Sequence, residues 1–287
     1  MTHSLPLAPD VLEGPRTRIA VYGKGGIGKS TVCSHLSVIY AEEGDKVLLV
    51  GCDPKHDSTL RVANGAVTTV MGQLARNPNG IRPSAFVTEG RFGIDLIECG
   101  GPEPGAGCGG RGVAKMFDMF RTVRLLDNGP WSAVVFDILG DVVCGGFAAP
   151  LRKGFAEKAF IVTSEEVMSL YAANNVAKAI KSYGDNGVAL GGIIANLRED
   201  SGRGLLENFA RALGTTLVGT IPRDPLILEA EAHMKTVVEY RPDAPISAIY
   251  RDLAARVKAI DPATLKIPTP MEESEFQAFI VENMRRS

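Results

Sequence analysis

Short, nearly unbroken apolar runs recur along the chain with helix-length segments between them: Ile19 to Tyr22, Val47 to Gly51, Ile94 to Glu98, Ala133 to Asp137, Ala159 to Thr163, Leu190 to Asn196 and Leu217 to Ile221. The runs are continuous in Val, Ile and Leu and do not alternate with polar residues, which predicts parallel strands covered by helices on both faces. The expected architecture is α/β, a doubly wound, mostly parallel sheet with its ligand at the carboxyl ends of the strands. Glycine and proline gather in loops such as Asn77 to Pro83 and Gly100 to Gly112, with no linker and no internal repeat, so residues 18–287 read as one domain behind a flexible lead of residues 1–17. At the far end, Pro268 to Ser287 reads as a proline-rich turn and an amphipathic helix with Phe276, Phe279 and Ile280 on one side. That helix is expected to pack on its own subunit or on a partner.

The first apolar run ends in Gly23-Lys24-Gly25-Gly26-Ile27-Gly28-Lys29-Ser30, followed by Thr31. This is the G-x-x-x-x-G-K-[ST] spacing of a phosphate loop: glycines let backbone N–H groups close around phosphate oxygens, Lys29 reaches the β- and γ-phosphates, and the Ser30 hydroxyl binds Mg²⁺. A helix beginning near Gly28 adds its positive end to the same anion. The chain is therefore expected to be a P-loop protein that binds a nucleoside triphosphate. The ordinary loop has no need of a lysine at Lys24. With it, the segment resembles the deviant Walker A signature of a family of dimeric ATPases, in which this lysine reaches the nucleotide of the partner subunit. The resemblance implies a homodimer with two ATP molecules near its interface and separates the chain from kinases and small GTPases.

Composition narrows the setting. The 287 residues are 45% hydrophobic and 22% charged with a formal net charge of −2, so no basic excess exists to hold nucleic acid. No apolar run approaches the roughly 20 residues that cross a bilayer. The N-terminal segment to Arg16 holds prolines and acids without an apolar centre, unlike a signal peptide, and the expected location is cytoplasmic. Five cysteines without a Cys-x-x-Cys pair argue against a disulfide framework and a zinc knuckle. His3, His35, His56 and His233 lack paired ligand spacing and read as surface or core residues.

Further chemistry sits at the strand tips. The second run leads into Asp53-Pro54-Lys55-His56-Asp57-Ser58-Thr59, where Asp53 or Asp57 is placed to orient an attacking water or to bind Mg²⁺. Taken alone, such carboxylates are as often helix caps, and Asp57 before Ser58 and Thr59 has that option. After the fourth run, Asp137 stands where a Walker B aspartate holds the Mg²⁺ shell. Asp141 lies three residues before Cys144, so a loop that senses γ-phosphate is tied to whatever Cys144 holds, in the manner of a nucleotide switch.

The loop from Gly100 to Gly112 is dense in glycine around Cys108. Cysteines on such loops suit an iron–sulfur cluster, whose sulfurs accept backbone N–H hydrogen bonds. Cys33, Cys52 and Cys99 read instead as small buried hydrophobes. A cubane needs four thiolates and the chain offers two on glycine loops, Cys108 and Cys144, so a symmetric dimer would complete the set.

Together, GKGGIGKST, GCDPKHDST, GGPEPGAGCGGRG and FDILGDVVCGGF resemble the iron proteins of nitrogenase and nitrogenase-like enzymes. The likeness runs from about Arg18 to the C-terminal helix and takes in Tyr171-Ala172-Ala173-Asn174-Asn175 and Ile221-Pro222-Arg223-Asp224. The resemblance implies a homodimer with one 4Fe-4S cluster held by Cys108 and Cys144 of both chains. MgATP docks that dimer on a catalytic component and one electron passes, with ferredoxin or flavodoxin as donor. It assigns Lys29, Ser30 and Thr31 to phosphate and Mg²⁺, Lys24 to the opposite nucleotide, and Asp53 to the hydrolytic base. Lys55 and Asp57 fall in switch I, Asp137 and Asp141 in switch II, and Asn196 and Asp224 at the adenine nucleoside. Arg111 occupies a docking-surface position that some bacteria ADP-ribosylate.

Within the family the chain is a mosaic. His56 resembles the protochlorophyllide-reductase branch, whereas Pro-Glu-Pro-Gly and Gly-Arg-Gly resemble nitrogenase, and Asn64 to Arg91 resembles neither. The reading leans to a nitrogenase-like system, with methylthio-alkane reductase as the leading named candidate. Genuine nitrogenase, a chlorophyll-pathway reductase and a nickel-tetrapyrrole reductase stay open. A clusterless deviant Walker A ATPase for positioning or partitioning would share the loop and the aspartates but has no need of Cys108 and Cys144. A metal-insertion ATPase would favour the absent Cys-x-x-Cys pair.

Overall fold

The computed structural model describes residues 17–77, 81–101, 108–140 and 145–284. Of the expected lead of residues 1–17, only Thr17 is described, and it opens the first strand instead of ending a lead; the rest of the lead, together with Asp141 and Cys144, lies outside the described residues. Eight strands are described: β1 (Thr17–Tyr22), β2 (Val47–Cys52), β3 (Thr88–Glu89), β4 (Asp95–Glu98), β5 (Ala133–Ile138), β6 (Lys158–Thr163), β7 (Ala189–Asn196) and β8 (Leu217–Ile221). They form one sheet in the order β3-β4-β2-β5-β1-β6-β7-β8, with every pair parallel except β3–β4. The seven expected strands are present. The added one, β3, is two residues long and antiparallel at the sheet edge, too short to carry a hydrophobic period.

The helices are α1 (Lys29–Glu42), α2 (Val70–Arg76), α3 (Gly109–Thr122), α4 (Leu125–Asn128), α5 (Val167–Ser182), α6 (Arg203–Ala212), α7 (Pro225–Ala232), α8 (Val237–Tyr240), α9 (Pro245–Ala259) and α10 (Glu273–Met284). They divide between the two faces of the sheet. Leu36 and Tyr40 of α1, Val237 of α8 and Leu253 of α9 pack with the side chains of one face. Phe117 of α3, Leu170 of α5, Leu206 of α6 and Phe276 of α10 pack with those of the other. Because β2, β5 and β6 are buried at every position, both faces must be apolar, and this explains the absence of alternation in their sequences.

Polar links brace each helical layer. His35 of α1 stacks on Tyr250 of α9 with ring centroids 3.8 Å apart, and its Nε2 accepts the Val237 N–H at 2.9 Å. Burial lowers its pKa to about 3, so it is a neutral core histidine, one of the two roles expected of it. In α5, the Asn174 amide donates to the Met271 carbonyl at 2.8 Å and accepts the Met271 N–H at 2.9 Å. That clamp sets α10 down on its own subunit, where Phe276 meets Tyr171 and Phe279 meets Phe209.

Lys158, at the start of β6, is 2% exposed and donates to the carbonyls of Val257, Lys258 and Ile260 at 2.9, 3.2 and 2.9 Å. It satisfies the carboxyl end of α9, where helix carbonyls lack intrahelical partners and a cation is favoured. Replacing it by methionine strands those carbonyls. Lys158→Met is therefore expected to lower unfolding free energy by roughly 2–4 kcal/mol, read as a lower urea midpoint at unchanged slope.

Candidate functional site

β1 delivers the phosphate loop to the carboxyl edge of the sheet. Gly28 is the N-cap of α1 with φ of 98°, in the left-handed region, and a Cβ there would lie 2.5 Å from Asn196 Nδ2. Glycine is needed on both counts. Asn196, at the tip of β7, donates from its amide to the Ile27 carbonyl at 2.7 Å, so the residue expected at the adenine nucleoside also braces the loop. Lys29 is buried and donates to the Lys24 carbonyl at 3.1 Å.

A cavity of about 420 Å³ opens over this loop. Gly25, Gly26, Gly28, Lys29, Ser30 and Thr31 line one side, with Asp53, Lys55, Asp57 and Arg61 opposite. Lys24 is not among its lining residues. A second cavity of about 860 Å³ shares Gly26, Gly28, Thr31 and Glu231 with the first and extends to Asn196, Arg223 and Asp224. The two make one groove, with the residues expected at phosphate at one end and those expected at the nucleoside at the other. Asp224 accepts the Leu226 N–H at 2.8 Å as N-cap of α7, so its carboxylate has a structural partner as well as a place in the groove.

Glu231 joins the two ends, and sequence reading missed it. Its Oε1 accepts from Thr31 Oγ1 at 2.9 Å and from Arg61 Nε and Nη2 at 3.0 and 2.7 Å. Thr31, expected at phosphate, is thereby tied to α7. Nothing around Glu231 in the sequence marked it beyond its place on the helix that follows Asp224.

Opposite the loop, Asp53 is almost buried. Its Oδ1 accepts the Lys55 N–H at 2.9 Å, and Lys55 Nζ lies 3.5 Å from Oδ2. Asp57 caps no helix: the chain runs through turns over 58–62, closed by Val62 and Ala63 N–H groups on the Thr59 carbonyl. The capping option is thus set aside.

Asp137, at the end of β5, is 2% exposed, and among the described residues no N–H or O–H group donates to its carboxylate oxygens, which meet only the weakly donating thiol of Cys33. A buried carboxylate left unpaired is costly, and a bound cation is the usual remedy. The residues present therefore fit a Mg²⁺ ion served by Ser30 and Asp137. Burial, and then the Asp137 charge, raise the pKa of the neighbouring Cys33 thiol well above its ordinary value. Cys33, Cys52 and Cys99 are all buried, as expected.

Cys108 differs from them. It is exposed, it is the N-cap of α3, and its carbonyl accepts the Arg111 N–H at 3.1 Å. The first turn of α3 brings backbone N–H groups without intrahelical partners beside it, the donors that cluster sulfurs require. Cys108 thus fits a ligand of a shared 4Fe-4S cluster. Arg111 is exposed in that same turn.

A parallel sheet carrying this loop and groove defines a P-loop nucleoside triphosphatase. Among solved structures the chain is similar to the septum site-determining protein MinD of Pyrococcus horikoshii with Mg-ADP, with TM-score 0.69 and 22% identity over 86% of this chain and 97% of that one. A ParA family ATPase from Chlorobium tepidum matches with TM-score 0.64 and 17% identity over 84% of this chain and 98% of that one. Residues 17–285 match the model for the 4Fe-4S iron sulfur cluster binding proteins of the NifH/frxC family, and the chain belongs to that family. It is 42% identical to the nitrogenase iron protein of Methanococcus voltae, over 94% of this chain and 98% of the relative. It is 41% identical to nitrogenase iron protein 2 of Methanothermococcus thermolithotrophicus, over 90% and 93%. Its cofactors are those of the family, a 4Fe-4S cluster and MgATP.

One more acid was not foreseen. Glu98, at the end of β4, is fully buried. Its Oε1 accepts the Thr59 N–H at 2.8 Å, and Oε2 has no partner among the described residues. Burial first, with the charges of Asp137 and Asp57 added, pushes its pKa up to about 8 against the pull of the Thr59 hydrogen bond. The folded protein thus holds a proton here that the unfolded chain releases near pH 4.5. Stability from this group is complete below the unfolded value and is lost as pH rises through about 8. Glu98→Gln, neutral at every pH, is expected to remove this slope, which is at most about 1.4 kcal/mol per pH unit, in urea titrations of nucleotide-free protein across pH 5 to 9.

Proposed function

We propose that the protein is the ATP-dependent reductase component of a nitrogenase-like enzyme, a homodimer that passes single electrons to a catalytic partner as it hydrolyses MgATP. The observation that carries this reading is Cys108, an exposed thiol at the start of a glycine-flanked helix, while Cys33, Cys52 and Cys99 are buried. Cys144, in the second glycine-rich segment, would supply the other ligand, and two subunits would complete the four.

When bound, the 4Fe-4S cluster supplies a one-electron carrier. The chain's own residues do the rest. The phosphate loop and Lys29 bind the triphosphate, and Asn196 and Asp224 receive the nucleoside end. Asp53 orients the attacking water, Ser30 and Asp137 hold the Mg²⁺ shell, and Lys24, absent from the lining of its own chain's cavity, serves the partner's nucleotide. Asp141 acts in switch II, and Arg111 lies on the face that meets the catalytic component. Among partners, the mosaic of His56 with the nitrogenase-type Pro-Glu-Pro-Gly and Gly-Arg-Gly segments supports methylthio-alkane reductase as the first candidate. The iron protein of genuine nitrogenase is the alternative, supported by the relatives named above. Turnover with only a nitrogenase catalytic component would remove the first candidate.

The test is electron paramagnetic resonance of anaerobically purified, reduced protein with and without MgATP, alongside iron per dimer. About four irons per dimer and a signal that MgATP alters are expected. Cys108→Ser should lose both iron and signal while retaining MgATP binding. An iron-free dimer that still hydrolyses ATP after reconstitution would replace this reading with a clusterless switch ATPase.

A further inference from the structure

Pro54, between two residues that line the phosphate cavity, packs on the residue that follows Cys108. A Cβ on Gly101 would lie 2.6 Å from Pro54 Cβ, and a Cβ on Gly109 would overlap Pro54 Cγ. The pyrrolidine ring therefore rests on bare backbone at both places. Gly109 is the residue after Cys108 and opens α3. On another side of the same turn, a Cβ on Gly146 would overlap the Gly110 carbonyl, so the start of α3 is packed between the segment after β2 and the segment after β5.

Pro54 follows directly on Asp53, whose carboxylate lines the phosphate cavity. The turn that holds it is closed by the Lys55 N–H on Asp53 Oδ1 at 2.9 Å and the His56 N–H on the Asp53 carbonyl at 3.1 Å, with His56 at φ of 48°. A triphosphate that draws Lys55 to itself, or displaces the Asp53 carboxylate, must disturb this turn. Farther on, the Thr59 N–H donates to buried Glu98 at 2.8 Å, which anchors the far end of the segment. The proline ring fixes its own φ and has no soft side-chain torsion to absorb a displacement.

We infer that Pro54 is a positioning residue that carries the state of the phosphate cavity to Cys108 by direct contact with the first turn of α3. This route is separate from the connection through residues 137–146. As far as the cluster is concerned, the inference rests on the function proposed above. The contact itself does not.

The experiment uses the full chain with and without MgATP and reads two signals: amide hydrogen exchange over residues 108–113 and the resonance of the reduced cluster. In the unmodified protein MgATP should change both. Pro54→Gly should bind MgATP within about threefold of the unmodified protein, keep the exchange response at residues 24–31, and lose most of the response at 108–113 and in the resonance. Gly109→Ala should disturb 108–113 and lower iron content without nucleotide, and adding Pro54→Gly should restore both, because the overlap is then removed. Pro54→Ala, which keeps a Cβ, guards against a variant that merely fails to fold, and should lie between the two. A Pro54→Gly protein whose 108–113 amides answer MgATP as the unmodified protein does would overturn the inference. So would an unmodified protein in which those amides ignore MgATP. If the protein proves free of iron, exchange alone still judges the contact, so failure of the cluster reading is told apart from failure of this one.

Discussion

The site depends on β1 lying between β5 and β6 in an all-parallel region of the sheet. Val21 is in register with Asp137 on one side and Phe160 on the other, so the phosphate loop leaves β1 beside the acid that ends β5. Parallel pairing brings every carboxyl end to the same edge, where open α/β sheets bind ligands. The close fit of Gly23 against the Val162 carbonyl and of Gly140 against the Gly23 backbone leaves no space for side chains where the loop turns out of the sheet. Both turns require glycine for that reason.

Polar groups left without partners gather at this edge. Asp137, Glu98 Oε2 and Ser58 Oγ are buried and without a hydrogen-bond partner among the described residues, at or next to the ends of β5, β4 and β2. Gly51 is in register with both Glu98 and Asp137, and its missing side chain leaves the space that the Glu98 carboxyl fills. Such groups cost stability unless a ligand or a proton satisfies them. The rest of the molecule offsets this with two apolar layers and with well-partnered buried groups such as Lys158 and His35.

The likeness to MinD and ParA family ATPases, at 22% and 17% identity, shows that this fold is a general frame. The start of α3 carries the exposed cysteine of the present chain. There a cysteine is held in the open between two segments that both lead back to the nucleotide groove, and glycines at 101, 109 and 146 allow the close approach. A frame that places its ligand at strand ends can acquire a second site there without change to its core.

Much of this was legible in the sequence because it is local. Apolar runs of strand length, a phosphate loop and glycine-flanked cysteines each announce themselves within a dozen residues, and seven of the eight strands, the start of α1 and the burial of three cysteines follow from them. The separate placements of Cys33, buried, and Cys108, exposed, were readable from their neighbours alone. What stayed hidden joins residues far apart in the chain. Glu231 meets Thr31 and Arg61 across 200 and 170 positions, Glu98 meets Thr59 across 39, and Pro54 meets Gly109 only because β2 and β4 lie side by side. The composition of the loops named the chemistry, since phosphate and cluster binding need particular residue types at short spacing. Which acid is neutral, which carboxylate is unpaired and which proline presses on the cysteine helix were decided by the sheet order, because burial and contact between distant segments exist only once the strands have paired.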